Sequence, residues 1–163
     1  MTTLVGMFYG AKEIDALNQI VYYGIKSAFF ITLISSLFVY LFADTFSSLF
    51  TKDQEIINVS VGFLQLLCLV YPLVAVAITS GRVMQGLGKG LPVLVITIVR
   101  VIGISAPLAV YFSSYLHKPV EWNWYAMMLG AVTAFLIAVN WMRIELKKIN
   151  NYEENNFEPV TQN

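Results

Sequence analysis

The sequence predicts an all-α integral membrane protein with about four transmembrane helices and a partial, amphipathic helix ahead of them. Three observations carry that fold class. Long uncharged runs recur, the longest being the 26 residues 56–81, where about 20 suffice to cross roughly 30 Å of hydrocarbon. Charged residues make up 12% of the chain and hydrophobic ones 58%, against about 25% and about 45–50% in soluble domains. Mean hydropathy is +0.69. Net charge is zero, which removes the electrostatic case for a nucleic-acid partner.

Residues 1–23 open with a short apolar stretch, too short to cross a bilayer, and then turn amphipathic. Ile14, Leu17, Ile20 and Val21 recur at helical spacing between Lys12, Glu13, Asp15 and Asn18. This predicts an interfacial helix, with Tyr22 and Tyr23 at headgroup level. The mixed charges do not match the basic start and apolar block of a cleavable signal peptide. Residues 24–43 form the first complete span, with Lys26 placed to snorkel. A polar connector, 44–55, carries Asp44, Lys52, Asp53 and Glu55.

The second span, 56–81, contains Gln65, Tyr71 and Pro72. Proline there removes a helix hydrogen bond and predicts a kink. The turn 82–91 holds Gly86, Gly88 and Gly90 with Arg82 and Lys89. Pro92 opens the third span, 92–115, at a position where a missing amide proton costs nothing. Arg100 and Pro107 lie within it. A short polar turn, 116–121, precedes the fourth span, 122–142, which has Trp122 and Trp124 at one end and Trp141 at the other. Residues 143–163 read as a polar tail with a disordered, Asn- and Glu-rich end.

Four spans place the start, the glycine turn and the tail on one face. That face carries seven basic residues, Lys12, Lys26, Arg82, Lys89, Arg143, Lys147 and Lys148; the other carries Lys52 and Lys118. The bias predicts that the first face, with both termini, is cytoplasmic in a multi-pass plasma-membrane protein.

Polar groups inside the spans are the candidates for a substrate cavity: Gln65, Tyr71 and Arg100. A charge at the bilayer centre costs about 2.5–3.5 kcal/mol on insertion scales. Arg100 therefore has to snorkel, pair, or line a polar cavity. For Gln65, interhelical hydrogen bonding competes with a cavity role. Pro72, Gly86, Gly88, Pro92 and Pro107 read as structural kink and turn residues. The glycine turn is not a phosphate loop, because Gly88-Lys89 is followed by Gly90 where Ser or Thr is required. Cys68 is the sole cysteine, so no disulfide forms within the chain. His117 has no second His or Cys near it, and no metal site is expected. With no Ser-His-Asp set, Cys-His pair or carboxylate pair, no enzyme is predicted. The spans as bounded here hold no Asp or Glu, the groups that ion-coupled transport ordinarily uses.

Several segments resemble the multidrug and toxic compound extrusion (MATE) family. Gly6 with Tyr9-Gly10-Ala11 is similar to its Gly-x-x-x-Gly-Ala loop. Leu49-Phe50-Thr51-x-Asp53-x-Glu55-Ile56 is similar to its Leu-Phe-Thr-x-Asp-x-Glu-Val stretch, and Phe63-Leu64 to the Tyr-Leu that follows. Met84-Gln85-Gly86-Leu87-Gly88-Lys89 resembles its Leu-Arg-Gly-x-Gly-Lys turn, and Pro92 its next proline. The resemblance covers residues 6–92; the last two spans agree in hydropathy only. It implies the end of the eighth through the twelfth helix of a twelve-helix transporter, whose two lobes export cationic or amphipathic compounds in exchange for sodium ions or protons. The loops of the first lobe carry the same motifs, so a first-lobe origin stays open; the basic residues after the last span favour the second.

The resemblance therefore implies antiport of xenobiotics, a lipid-bilayer setting, small organic cations as cargo, and a missing lobe or second copy as partner. No bound cofactor is expected, and the coupling residues of the family, for sodium or protons, find no match in this chain. The chain reads as a fragment of a longer transporter. The alternatives are a four-helix structural or regulatory membrane subunit, or a small dimeric multidrug exporter.

Overall fold

The computed structural model describes residues 1–115 and 121–156. Their regular structure is helical throughout: α1 (Thr2–Gly10), α2 (Ile14–Leu41), α3 (Ala43–Ser48), α4 (Gln54–Gly86), α5 (Leu91–Ile98), α6 (Ala106–Val110) and α7 (Glu121–Asn156), with π-helical turns at Val99–Ser105 and Tyr111–Tyr115. Four stretches are long and apolar enough to cross a membrane: Ile14–Leu41, Gln54–Gly86, Leu91–Ser114 and Trp122–Tyr152. At 1.5 Å per residue the shortest of these is about 36 Å long, so each fits with tilt or with ends in the headgroup layer.

Local chemistry sets the breaks. Lys12 adopts φ 58°, and the Lys12 and Glu13 amides donate back to the Tyr9 and Phe8 carbonyls, a Schellman closure with lysine at the left-handed position. Asp53 caps α4, its carboxylate accepting from the Glu55 amide at 2.9 Å. At the far end of α4 the Gly88 and Lys89 amides donate to the Gln85 and Met84 carbonyls. Gly88, at φ +77°, occupies the left-handed position of that second Schellman motif.

The helices pack as a row. α4 contacts α1, α2, α3, α5 and α7, whereas α2 does not touch the third span. Only 6% of the most apolar stretch of α2, and 6% of that of the third span, is buried; α4 and α7 reach 22% and 28%. The core therefore lies at one end of the row. There Val5, Leu17, Val21, Val83, Met84, Leu87, Ala138 and Met142 close together. Gly86 permits this: a Cβ on it meets the Thr2 carbonyl oxygen and Val5 Cβ at 2.7 Å, so α1 crosses α4 at its last turn.

The structure differs from the sequence reading in four places. The interfacial helix and the first span are one helix, α2, because the break falls at Lys12 and a mid-helix glycine at Gly24 costs only about 1 kcal/mol. The connector 44–55 contains α3. The third span is not uniform but alternates α and π turns around Pro107, whose missing amide proton disrupts the regular ladder. Finally, the fourth helix continues past 142 to Asn156, since Leu146 and Ile149 still pack on the core. Pro72 is buried, and α4 continues through it. The turn 116–120 with His117 and Lys118, and the tail end 157–163, lie outside the described residues.

Five hydroxyl groups inside the spans are satisfied within their own helices, while the buried Ser36 hydroxyl of α2 has no partner among the described residues. Thr32, Thr79, Ser80, Thr97 and Thr133 each donate to the carbonyl four residues back, at 2.7–2.9 Å. The Asn140 amide does the same to Leu136. Such self-contained bonds spare polar groups an exposed donor in hydrocarbon.

Candidate functional site

Arg100 is positioned by the junction of α5 with the π turn Val99–Ser105. The wider turn brings its backbone against α7 at Gly130. A Cβ on Gly130 collides with the Ser105 hydroxyl and stands 3.2 Å from the Arg100 carbonyl oxygen. The missing Cβ leaves room for the Ser105 hydroxyl and lets α7 seat closely against the backbone from which Arg100 projects.

The Arg100 side chain lines a cleft of about 280 Å³ between α4, the third span and α7. Arg82, Gln85 and Thr97 share it, with Val74, Ile78, Val93 and Ile96 among the apolar walls. The guanidinium of Arg82 donates to Gln85 Oε1 at 3.4 Å, one turn along its own helix. The Arg100 guanidinium has no hydrogen-bond or ion-pair partner among the described residues, and no carboxylate lines the cleft. Its chemistry is that of a donor to anions and to hydrogen-bond acceptors.

The other two cavity candidates stand elsewhere. Tyr71 is 44% exposed. Gln65 is half-buried. Neither lines the Arg100 cleft. Arg82, Gln85 and Thr97 were not singled out from sequence as cavity residues. The signal for them is the tight hairpin itself, which folds the last turn of α4 back on the start of the third span.

A second cleft, of about 480 Å³, separates α2 from α7 over α4. Lys26, Arg143 and Asn18 are its polar residues, and Phe29, Phe135 and Val139 line its apolar part. On the opposite flank of α7 lies Glu145, the one buried charged residue among those described. Its carboxylate pairs with Lys89 of the glycine turn and with Lys148 at 3.4 Å. It therefore closes the hairpin onto α7, and both its oxygens are engaged. Asn18 and Asn150 join α2 to the same end of α7 by a hydrogen bond of 3.1 Å. Placing Glu145 on a helix rather than in a tail corrects the expectation that the fourth helix lacks an acid. Among the described residues no three His, Cys, Asp or Glu converge to hold a metal ion.

All three tryptophans make ring or core contacts, Trp122 setting its ring edge-to-face with Phe112 at 5.5 Å. Trp124 lies tilted against Phe63 with centroids 5.3 Å apart, and Trp141 packs on the core. Trp122, at 39% exposure, remains at the surface.

The family model MatE matches residues 1–111. The chain is 27% identical over 139 residues to the probable multidrug resistance protein NorM of Bacillus cereus, covering 84% of this chain and 31% of the relative. It is 24% identical over 148 residues to that of Bacillus anthracis, covering 90% and 33%. Among solved structures it is similar to a multidrug resistance MATE family transporter of the MOP superfamily. The inward-facing conformation matches with TM-score 0.83 and 26% identity over 92% of this chain and 35% of that one. The outward-facing conformation matches with TM-score 0.83 and 26% identity over 92% and 34%. The chain thus spans about a third of the length of the relatives and structures it matches. With a family model covering more than half of it and the same helical arrangement in these transporters, the chain belongs to the MatE family.

Proposed function

We propose that the chain is a membrane-embedded part of an exporter that moves xenobiotic, cationic compounds out of the cell in exchange for sodium ions or protons. The observation that carries this reading is its equal likeness, at TM-score 0.83, to inward- and outward-facing forms of a multidrug resistance MATE transporter. A unit that resembles both states equally well is one that keeps its internal packing while access alternates. Alternating access of this kind is rigid-body movement of one unit against another. The row of helices described here supplies one such unit, with broad apolar faces on α2 and the third span.

The cycle needs a second unit, either the rest of a transporter or a second copy. Glu145 is already neutralised by two lysines, so a coupling cation belongs on residues that the second unit brings. The glycine turn, both described chain ends and the last turns of α7 face the cytoplasm in this reading, as the distribution of Lys and Arg supports.

The test is ethidium flux in proteoliposomes under an imposed sodium or proton gradient, as a function of copies per vesicle. Vesicles holding a single copy are expected to show no gradient-driven flux. Coupled flux from single copies contradicts the two-unit requirement.

A further inference from the structure

We propose that the cleft between α4, the third span and α7 binds the phosphate headgroup of an anionic phospholipid, with Arg100 and Arg82 as its ligands. Four observations converge on it. The Arg100 guanidinium is half-buried and has no partner within the described protein. Arg82 has only a 3.4 Å contact within its own helical turn. No carboxylate lines the cleft, so neither charge is answered from inside. Around the two cations the walls are aliphatic, as an acyl chain requires.

Geometry favours a lipid over a soluble anion. Arg82 lies four residues before the end of α4 and Arg100 nine residues after the start of α5. At 1.5 Å per residue they sit about 6 Å and about 14 Å from the hairpin end of their helices. One cation is then at headgroup level and the other deeper, where hydrocarbon begins. A guanidinium fork fits a phosphate bidentately. Ile78 and Thr97 at the rim are exposed on the membrane-facing side of the helices, and the anion most abundant in that phase is the lipid itself. The close seating of α7 at Gly130 packs the Arg100 backbone beforehand, which lowers the cost of ordering the site. A cleft of this charge repels the cationic compounds proposed as cargo, so the inference stands apart from the transport reading.

The experiment is native mass spectrometry of the full chain in mild detergent. It is titrated with dioleoyl phosphatidylglycerol, dioleoyl phosphatidylcholine and inorganic phosphate. Phosphatidylglycerol is expected to bind at least about tenfold more tightly than phosphatidylcholine. Arg100→Gln and Arg82→Gln are each expected to weaken it by about tenfold, the size of one charge-assisted hydrogen bond. Arg100→Lys falls between, and Lys147→Gln, an exposed charge at the same end of the bundle, leaves binding unchanged. Circular dichroism checks folding, and Arg82→Gln decides the matter if Arg100→Gln does not fold. Three results overturn the proposal. One is equal phosphatidylglycerol affinity in folded Arg-to-Gln variants and the parent chain. Another is displacement of the lipid by millimolar inorganic phosphate, which makes the cleft a soluble-anion site. The third is an Arg100-dependent dimer in place of bound lipid.

Discussion

At the scale of single residues, the glycine turn separates by mechanism. Gly88 needs its positive φ, and Gly86 needs its missing Cβ because the Thr2 carbonyl oxygen stands 2.7 Å from where one would be. Gly90 has ordinary φ and open space around it. Three substitutions to alanine should therefore diverge. Gly86→Ala is expected to destabilise by about 1–3 kcal/mol through overpacking and Gly88→Ala by about 1 kcal/mol through backbone strain. Gly90→Ala is expected to stabilise by about 0.4–1 kcal/mol through the unfolded state. Unfolding in detergent, followed by circular dichroism, ranks them; equal losses at all three contradict the assignment. The same logic inverts at Lys12, where a lysine occupies the left-handed position. Lys12→Gly is expected to raise stability by about 1 kcal/mol, and a loss in the same assay refutes it. The three glycines of this turn and the proline that follows it were legible as a hairpin. Which glycine carries φ and which carries a close approach was not, because that depends on α1, a partner some 80 residues earlier.

At the scale of elements, the hydrocarbon runs located the helices well, and charge misled at their ends. Glu145 and Lys148 after residue 142 read as a tail because charged residues ordinarily mark water. In the fold Glu145 pairs with both Lys89 and Lys148 while Leu146 and Ile149 extend the buried stripe. The pairing of positions 89 and 145 leaves no trace in local sequence. Its energetic weight is bounded by exposure: the Lys89 side chain is 43% exposed and that of Glu145 8%. Solvent screening at the lysine limits the pair to about 0.5–1 kcal/mol. A double-mutant cycle with Lys89→Met and Glu145→Gln should return a coupling in that range. A coupling near zero would mean that the hairpin is not held to α7 by this pair. The π turns were likewise hidden. Pro107 announced a disturbance, but the small residue that accepts the widened turn, Gly130, sits on another helix.

For the whole molecule, α2 and the third span form the two flanks of the row, each with almost all of its apolar stretch uncovered. Such faces need lipid or a further unit. In a Cys68→Ser background, cysteines at Ile34 and Ile102, which are 68% and 66% exposed, should carry fluorophores that spin-labelled lipids quench. A cysteine at Val83, fully buried, should report little quenching. The fold class and its family likeness were legible from hydropathy and four short loop motifs. The candidate site was legible only in Arg100, since its neighbours Arg82 and Gln85 gain meaning from the antiparallel hairpin. Everything rests on four helices crossing the bilayer so that residues 12, 89 and 147 share one face and residue 52 the other. Single cysteines at these four positions, reacted with a membrane-impermeant maleimide from each side of sealed vesicles, test this directly. The predicted result is labelling of positions 12, 89 and 147 from one side and of position 52 only from the other. Labelling of positions 52 and 89 from the same side would mean that α4 does not cross, and would contradict the account.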